Sequence, residues 1–293
     1  MTHILNLPGL REDILRDHLA ALGLLDWIHS LFPTSHPKLA WSADSGYPYL
    51  QTSEPLPEDW SQQLLDGIQS WRTIQPNPFG HGKIEAIAPQ TLRDLLRQTT
   101  DERLHRFYCG ITSQLQNEDT GRRSELIIES ANRSVLKGLD DLLADSRNPL
   151  DFQSALAGTG VKREVSNTSR WHPAEYQPAA YVATDPKLNK HHDWVELNIL
   201  ALFGTSFYPV IDTPKGRLTA GMRRIEHELE FSWPVWSEPL GVDEVRALVT
   251  HPEFYAENPN LEMLARMGIH GLWRSRKFSP DGNNNYFLPA IRA

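Results

Sequence analysis

Residues 11–32 read REDILRDHLAALGLLDWIHSLF, and this stretch decides the reading of the fold. Leu15, Leu19, Leu22 and Trp27, with Ile14, Ala21, Leu25 and Ile28 beside them, recur at helical spacing and form a broad apolar stripe. Pro33 is expected to stop this helix. The N-terminal stretch lacks a basic leader, a clean apolar run and a small-residue cleavage site. It therefore reads as part of the fold and not as a signal peptide.

Outward from this helix the pattern alternates. Residues 38–50, with Leu39, Trp41, Tyr47, Tyr49 and a break at Gly46, read as a short hairpin. Trp60, Leu64, Leu65, Ile68 and Trp71 return to helical spacing over 58–74. The segment 77–82 is a loop by composition, and helices are expected over 89–99, 101–115 and 125–144, with a polar loop at 117–125. Residues 145–170 are rich in Asn, Ser, Gly and Thr, which suggests a mobile loop or soft boundary. Beyond it, a helix over 193–204 precedes strands at 207–211, after the turn at 215–218, and at 229–233. Trp233-Pro234-Val235-Trp236 reads as a rigid packed corner, because proline restricts the backbone. Short helices are expected at 243–248 and 261–267, followed by a polar tail over 278–293. The expected class is α+β: predominantly helical through the N-terminal two thirds, with a smaller mixed α/β C-terminal region. As domains, this gives a mainly helical 1–150 and a mixed 151–293, possibly continuous with each other.

Composition limits the function. The chain has 293 residues, 40% of them hydrophobic, enough for a substantial core and against global disorder. Lys and Arg number 29 against 37 Asp and Glu, a formal net charge of −8, which argues against a generally basic nucleic-acid coat but leaves local patches open. The single cysteine, Cys109, can form neither an intrachain disulfide nor a cysteine-based zinc or iron–sulfur centre. Set among Leu104, Phe107 and Tyr108, it reads as a small buried apolar residue. No run approaches the length of a membrane span, and a cytoplasmic location is expected.

Reaction machinery is sparse. There is no phosphate-binding loop, dinucleotide fingerprint, metalloprotease helix or serine elbow, so no catalytic role and no cofactor are expected. His191, His192, Asp193 and Glu196 are the nearest approach to a metal cluster, which a metal-dependent nuclease could use, but Asp193 is well placed to cap the following helix, and capping or surface chemistry is the favoured reading. Basic runs are more prominent. Arg122 and Arg123 sit in a loop before a helix, and Arg133 and Lys137 lie four apart on it. Arg223 and Arg224 flank a hairpin. Arg274, Arg276 and Lys277 form the densest run, between Trp273 and Phe278. Arginine forks suit phosphate oxygens, so these nine residues are the candidate nucleic-acid contacts.

Several blocks carry a family resemblance. They are Ser169-Arg170-Trp171-His172-Pro173, Ala179-Ala180-Tyr181, Asn198-Ile199-Leu200-Ala201-Leu202-Phe203-Gly204 with Phe207-Tyr208-Pro209-Val210, and residues 231–240 continuing into Val245-Arg246-Ala247-Leu248. With the opening His18-Leu19-Ala20-Ala21-Leu22-Gly23-Leu24-Leu25, the chain resembles the compact large-subunit-like proteins (Cas8-like, Csx17/Csb3-like) of type I CRISPR systems. The resemblance spans roughly the first 30 residues and 169–249. It implies a noncatalytic subunit of an RNA-guided effector complex that contributes to flanking-motif recognition and target DNA binding. The partners implied are Cas7-like backbone and Cas5-like subunits, guide RNA, double-stranded target DNA and a recruited Cas3-type helicase-nuclease. A purely structural interaction protein is the other reading of the same residues.

Overall fold

In the computed structural model the described residues are 2–74, 83–84, 87–117, 121–129, 134–165, 169–175, 192–213, 216–226, 228–279 and 285–293. The architecture is mixed helix and sheet. The opening strand β1 (His3–Asn6) leads into helix α1 (Leu15–Leu31), which is buried from Leu15 through Ile28 on every side. A helix buried all round belongs inside a domain, and α1 is the centre about which the rest is built, with its buried Arg16, Asp17, His18 and Asp26 among the apolar residues. It ends where Pro33 opens a short turn. Strands β2 (Lys38–Trp41) and β3 (Pro48–Thr52) form the expected hairpin, Leu39 facing Leu50, and β1 adds to it in the order β1-β3-β2.

Helix α2 (Trp60–Ser70) packs Leu64, Leu65 and Ile68 inward, and α3 (Pro89–Gln98) follows. Asp101 caps α4 (Glu102–Ile111) by accepting the Arg103 N–H at 2.9 Å. This helix is shorter than its sequence suggests: the chain turns extended at Thr112 to form β4 (Thr112–Asn117), paired with β5 (Gly121–Arg123). The helix expected from 125 begins only at α5 (Val135–Asp145), capped by Ser134. Residues 124–129 are instead a buried connector that opens with a turn, the Ile127 N–H donating to the Ser124 carbonyl at 3.1 Å, because Glu125 and Glu129 spend their carboxylates on backbone N–H groups of other segments.

The expected mobile stretch 145–170 contains α6 (Pro149–Ala157). Asn148 accepts the Leu150 N–H at 3.2 Å, Pro149 stands in the first turn, and Gly158 closes the helix at φ +71°. Phe152, Ala155 and Leu156 are buried, and the Leu156 carbonyl accepts the Gly9 N–H at 2.8 Å. The polar composition belonged to the caps, and the apolar face between them holds the segment down.

A short pair, β6 (Arg163–Glu164) and β7 (His192–Asp193), precedes α7 (Val195–Gly204), every residue of which is buried. The expected strand at 207–211 starts late. Thr205–Phe207 is a 3₁₀ turn that carries Phe207 and Tyr208 into the core, and β8 (Val210–Thr213) pairs with β9 (Gly216–Thr219) after it.

The larger sheet runs β10 (Met222–Ile225), β11 (Glu228–Trp236), β12 (Ile269–Phe278), β13 (Tyr286–Phe287), with β14 (Ile291–Arg292) also on β12. Helices α8 (Val242–Val249) and α9 (Leu261–Arg266) lie between β11 and β12. The Trp-Pro-Val-Trp block is thus part of a long strand and not a corner. Pro234 faces Leu272 beyond the last β10 pair, Met222 with Phe231, where no neighbouring strand needs its missing N–H.

Helices α1 and α7 meet at their glycines. A Cβ on Gly23 would press into the Leu200 carbonyl, 2.8 Å from its carbon, and one on Gly204 would stand 2.7 Å from the Leu19 carbonyl carbon. The two backbones therefore touch, each through the other's missing side chain. At the sheet end of α1, His18 lies in a box of Trp41, Trp233, Trp236 and Tyr208, and its Nε2 meets the Tyr208 hydroxyl at 2.8 Å. Burial lowers the His18 pKa to about 3, so the ring is neutral. The Trp236 indole N–H donates to the Leu39 carbonyl at 2.7 Å and joins the two sheets.

Candidate nucleic-acid interface

The register of the large sheet assembles most of the basic residues. Arg223, Glu230 and Arg276 lie on one rung across β10, β11 and β12, and Arg274 faces Ser232 one pair along on the same side. Arg224, Leu229 and Lys277 form the adjoining rung, on the opposite face.

The two faces use their cations differently. Glu230 is buried, and three guanidiniums surround it: Arg223 Nη2 at 2.5 Å, Arg276 Nε at 3.5 Å and Arg274 Nε at 3.8 Å. Arg274 also donates to the Ala256 carbonyl at 2.6 Å and to Glu257 at 3.3 Å, and Arg223 reaches Ala256 at 3.4 Å. These two arginines therefore pin the segment after Pro252–Tyr255 onto the sheet. Burial, and then the charge of Arg223, lowers the Arg274 pKa from the usual guanidinium value. Arg276 is different: its side chain is 52% exposed and also pairs with Glu228 at 3.4 Å. Arg224 is exposed.

Lys277 crosses to the buried connector and donates to the Glu125 carbonyl at 2.7 Å. The Glu125 carboxylate accepts from the Thr219 N–H at 2.9 Å and from the Thr219 hydroxyl. Farther along, Glu129 accepts the Val135 N–H at 2.9 Å and stands 3.7 Å from Arg123. Two buried glutamates thus join β5, the start of α5 and the end of the large sheet. Arg122 and Arg123 are on strand β5 and not in a loop before a helix. Lys137, in the first turn of α5, pairs with Asp141 at 2.9 Å. Arg133 lies outside the described residues, and the helix it was expected to share with Lys137 starts after it.

The histidine–acid cluster is organised around arginines. Asp193 does not cap α7. It is buried, accepts the Trp194 N–H at 2.9 Å and the Asn198 amide at 3.0 Å, and is bound by Arg16, which also holds Asp17 at 2.5 Å. Burial opposes the charge of Arg16, yet the two carboxylates raise its pKa above the ordinary value, while burial pushes the Asp17 carboxyl up. Glu196 is buried, bound by Arg163, and its pKa is likewise raised by burial. It lines a cleft of about 390 Å³ with Asp151, Ser154, Arg163 and Trp194. His192 is exposed, and His191 lies outside the described residues. Among the described residues no group of three or more His, Cys, Asp or Glu could hold a metal ion.

Cys109 is exposed on α4, contrary to its apolar neighbourhood in sequence. Phe107 and Tyr108 turn inward on that helix, and the intervening angle carries Cys109 out. Sequence reading also missed Glu125, Glu129 and Glu230, which carry no local motif and are each central once folded. No helix of the described residues is long and apolar enough to cross a membrane. No protein-family model matches this chain, and no curated protein matches it.

Proposed function

We propose that this chain is a noncatalytic subunit of a type I CRISPR effector complex, acting in the cytoplasm in flanking-motif recognition and target DNA binding. The observation that supports the reading is the gathering of Arg223, Arg224, Arg274, Arg276 and Lys277 at one end of the large sheet, with Arg224 and Arg276 facing solvent, beside the glutamate-bonded connector that holds Arg123. These residues come from three separated stretches of the sequence. The resemblance in residues 169–249 supports it independently. In this reading residues 151–293 carry most of the DNA contact, and the mainly helical 1–150 adds Arg122, Arg123 and Lys137. Guide RNA, Cas7-like and Cas5-like subunits hold the complex together, and a Cas3-type helicase-nuclease cuts.

Arg224 and Arg276 are candidate contacts that face solvent, so replacing them tests binding without opening the core. The complex assembled with Arg224→Ala, Arg276→Ala should bind target duplex more weakly at every sequence. Each lost phosphate contact should flatten the slope of log affinity against log salt by about 0.9. Unchanged affinity and slope, or a chain that fails to join the guide-RNA complex, would overturn the reading.

A further inference from the structure

A second constellation lies apart from the basic residues. His270 sits in β12 where the pairing with β11 shifts: Gly271 faces Val235 and Ile269 faces Trp236, leaving His270 as the extra residue of a bulge. A bulge re-aims its side chain, and bulges recur beside reacting groups. Here the imidazole bridges two residues distant in sequence. Its Nδ1 meets the Ser237 hydroxyl at 2.9 Å, and its Nε2 stands 3.3 Å from the Glu12 carboxylate. Both contacts are satisfied when Ser237 donates to Nδ1 and the Nε2–H donates to Glu12.

All three backbones are pinned. The Glu12 N–H donates to the Gly46 carbonyl at 3.2 Å, and its own carbonyl accepts the Trp233 indole N–H at 2.9 Å. The Ser237 N–H donates to the Gly268 carbonyl at 3.1 Å. The His270 carbonyl is held by Arg292. Ser237 is half-buried, and the next N–H, that of Glu238, makes no hydrogen bond among the described residues. Beside it Gly268, at φ +81°, would bring an added Cβ only into ordinary contact, with Glu238 Cγ at 3.8 Å.

We propose that Ser237, His270 and Glu12 form a nucleophilic relay, with Ser237 Oγ the attacking atom toward a short carboxylic ester. The chemistry is separate from DNA binding and stands or falls independently of it. Ser237 Oγ bonds to the ester carbonyl carbon while its proton passes to His270 Nδ1. Glu12 stabilises the resulting imidazolium through Nε2–H, and the Glu238 N–H faces the developing oxyanion. The carbon–oxygen bond to the alcohol breaks, and His270 returns the proton to the departing alkoxide. Water then attacks the acyl-serine, again losing its proton to His270, and the acid leaves as Ser237 recovers its proton.

The test is labelling of the full-length protein with a fluorophosphonate probe, read by intact mass and peptide mapping, alongside release of nitrophenol from nitrophenyl acetate. One label on Ser237 is expected, absent in Ser237→Ala, with the labelling rate at least tenfold lower in His270→Gln and in Glu12→Gln. Circular dichroism confirms that each variant is folded, and Ser237→Ala, which removes only a hydroxyl, serves where the others are not. No label at Ser237, or a rate unchanged by loss of His270 in a folded variant, would overturn the proposal and leave the three residues as a clip between the α1 entry and the bulge.

Discussion

The contact between α1 and α7 makes a quantitative prediction at Gly204. An added methyl would stand 2.7 Å from the Leu19 carbonyl carbon and 3.0 Å from its Cα, where carbon atoms ordinarily rest at about 3.5–4.0 Å. The obstacle is helix backbone, so no rotamer change relieves it, and the helices must part by roughly 1 Å. A gap of that size forfeits about a quarter to a half of the dispersion well for each atom pair it separates. Both helices are buried along their length, so the loss extends well beyond one residue. Overpacking costs about 1–3 kcal/mol in ordinary cores, and a backbone collision belongs at or above the top of that range. Alanine's better helix propensity returns about 1 kcal/mol. Gly204→Ala should therefore lose about 2 kcal/mol or more and lower the melting temperature by at least about 4–8 °C, measured by circular dichroism or scanning calorimetry. Gly23→Ala should behave alike, since its methyl meets the Leu200 carbonyl. The double variant should cost clearly less than the sum, because the first methyl already parts the helices that the second would push. A raised melting temperature, as helix propensity alone would give, or strict additivity would refute the touching backbones.

Three further outcomes follow from the buried polar groups and the lone thiol. Arg16→Met should lower urea-unfolding stability by about 3–5 kcal/mol, because it leaves Asp17 and Asp193 buried without their cation; an effect under 1 kcal/mol would show that the carboxylates find water. His18 is neutral when folded and titrates near its ordinary value when unfolded, so the unfolded chain binds the extra proton between about pH 6.5 and 3. Stability should fall as the pH is lowered across that window, by up to about 5 kcal/mol at its lower end. His18→Gln, which keeps a partner for the Tyr208 hydroxyl, should flatten the slope; an unchanged slope would assign the acid sensitivity to the carboxylates. Cys109 should react with a maleimide in the native protein, with the melting temperature unaltered, and protection until unfolding would contradict its exposure.

Much of the helical frame was legible in sequence. The pattern over residues 11–32 marks α1, and the 38–50 hairpin, α2, α3, α7, α8 and α9 follow from periodicity and local punctuation. These signals are local: an apolar stripe or a turn residue acts within a few positions. Where local signals competed, they misled. Residues 125–144 have helical periodicity throughout, yet Glu125 and Glu129 are worth more to the fold as acceptors for distant N–H groups, so the helix waits for Ser134. Residues 145–170 look like loop because the caps of α6 are Asn and Gly, and the apolar residues between them are few.

The basic residues were visible as charges, but their separation into structural and solvent-facing sets was not. Arg223 and Arg274 are held under a covering segment while Arg276, two residues from Arg274, reaches water. That depends on which strand lies beside β12 and in which register, and pairing between residues some fifty positions apart leaves no mark at either place. The same reason explains Asp193 and Glu196, whose arginines come from α1 and β6, and the meeting of Glu12, Ser237 and His270. Sequence alone determined the central helix and the kinds of chemistry at hand, because propensity and apolar spacing act locally. Tertiary structure alone decided which charges are spent inside and which face solvent, because burial and pairing are properties of the assembled core.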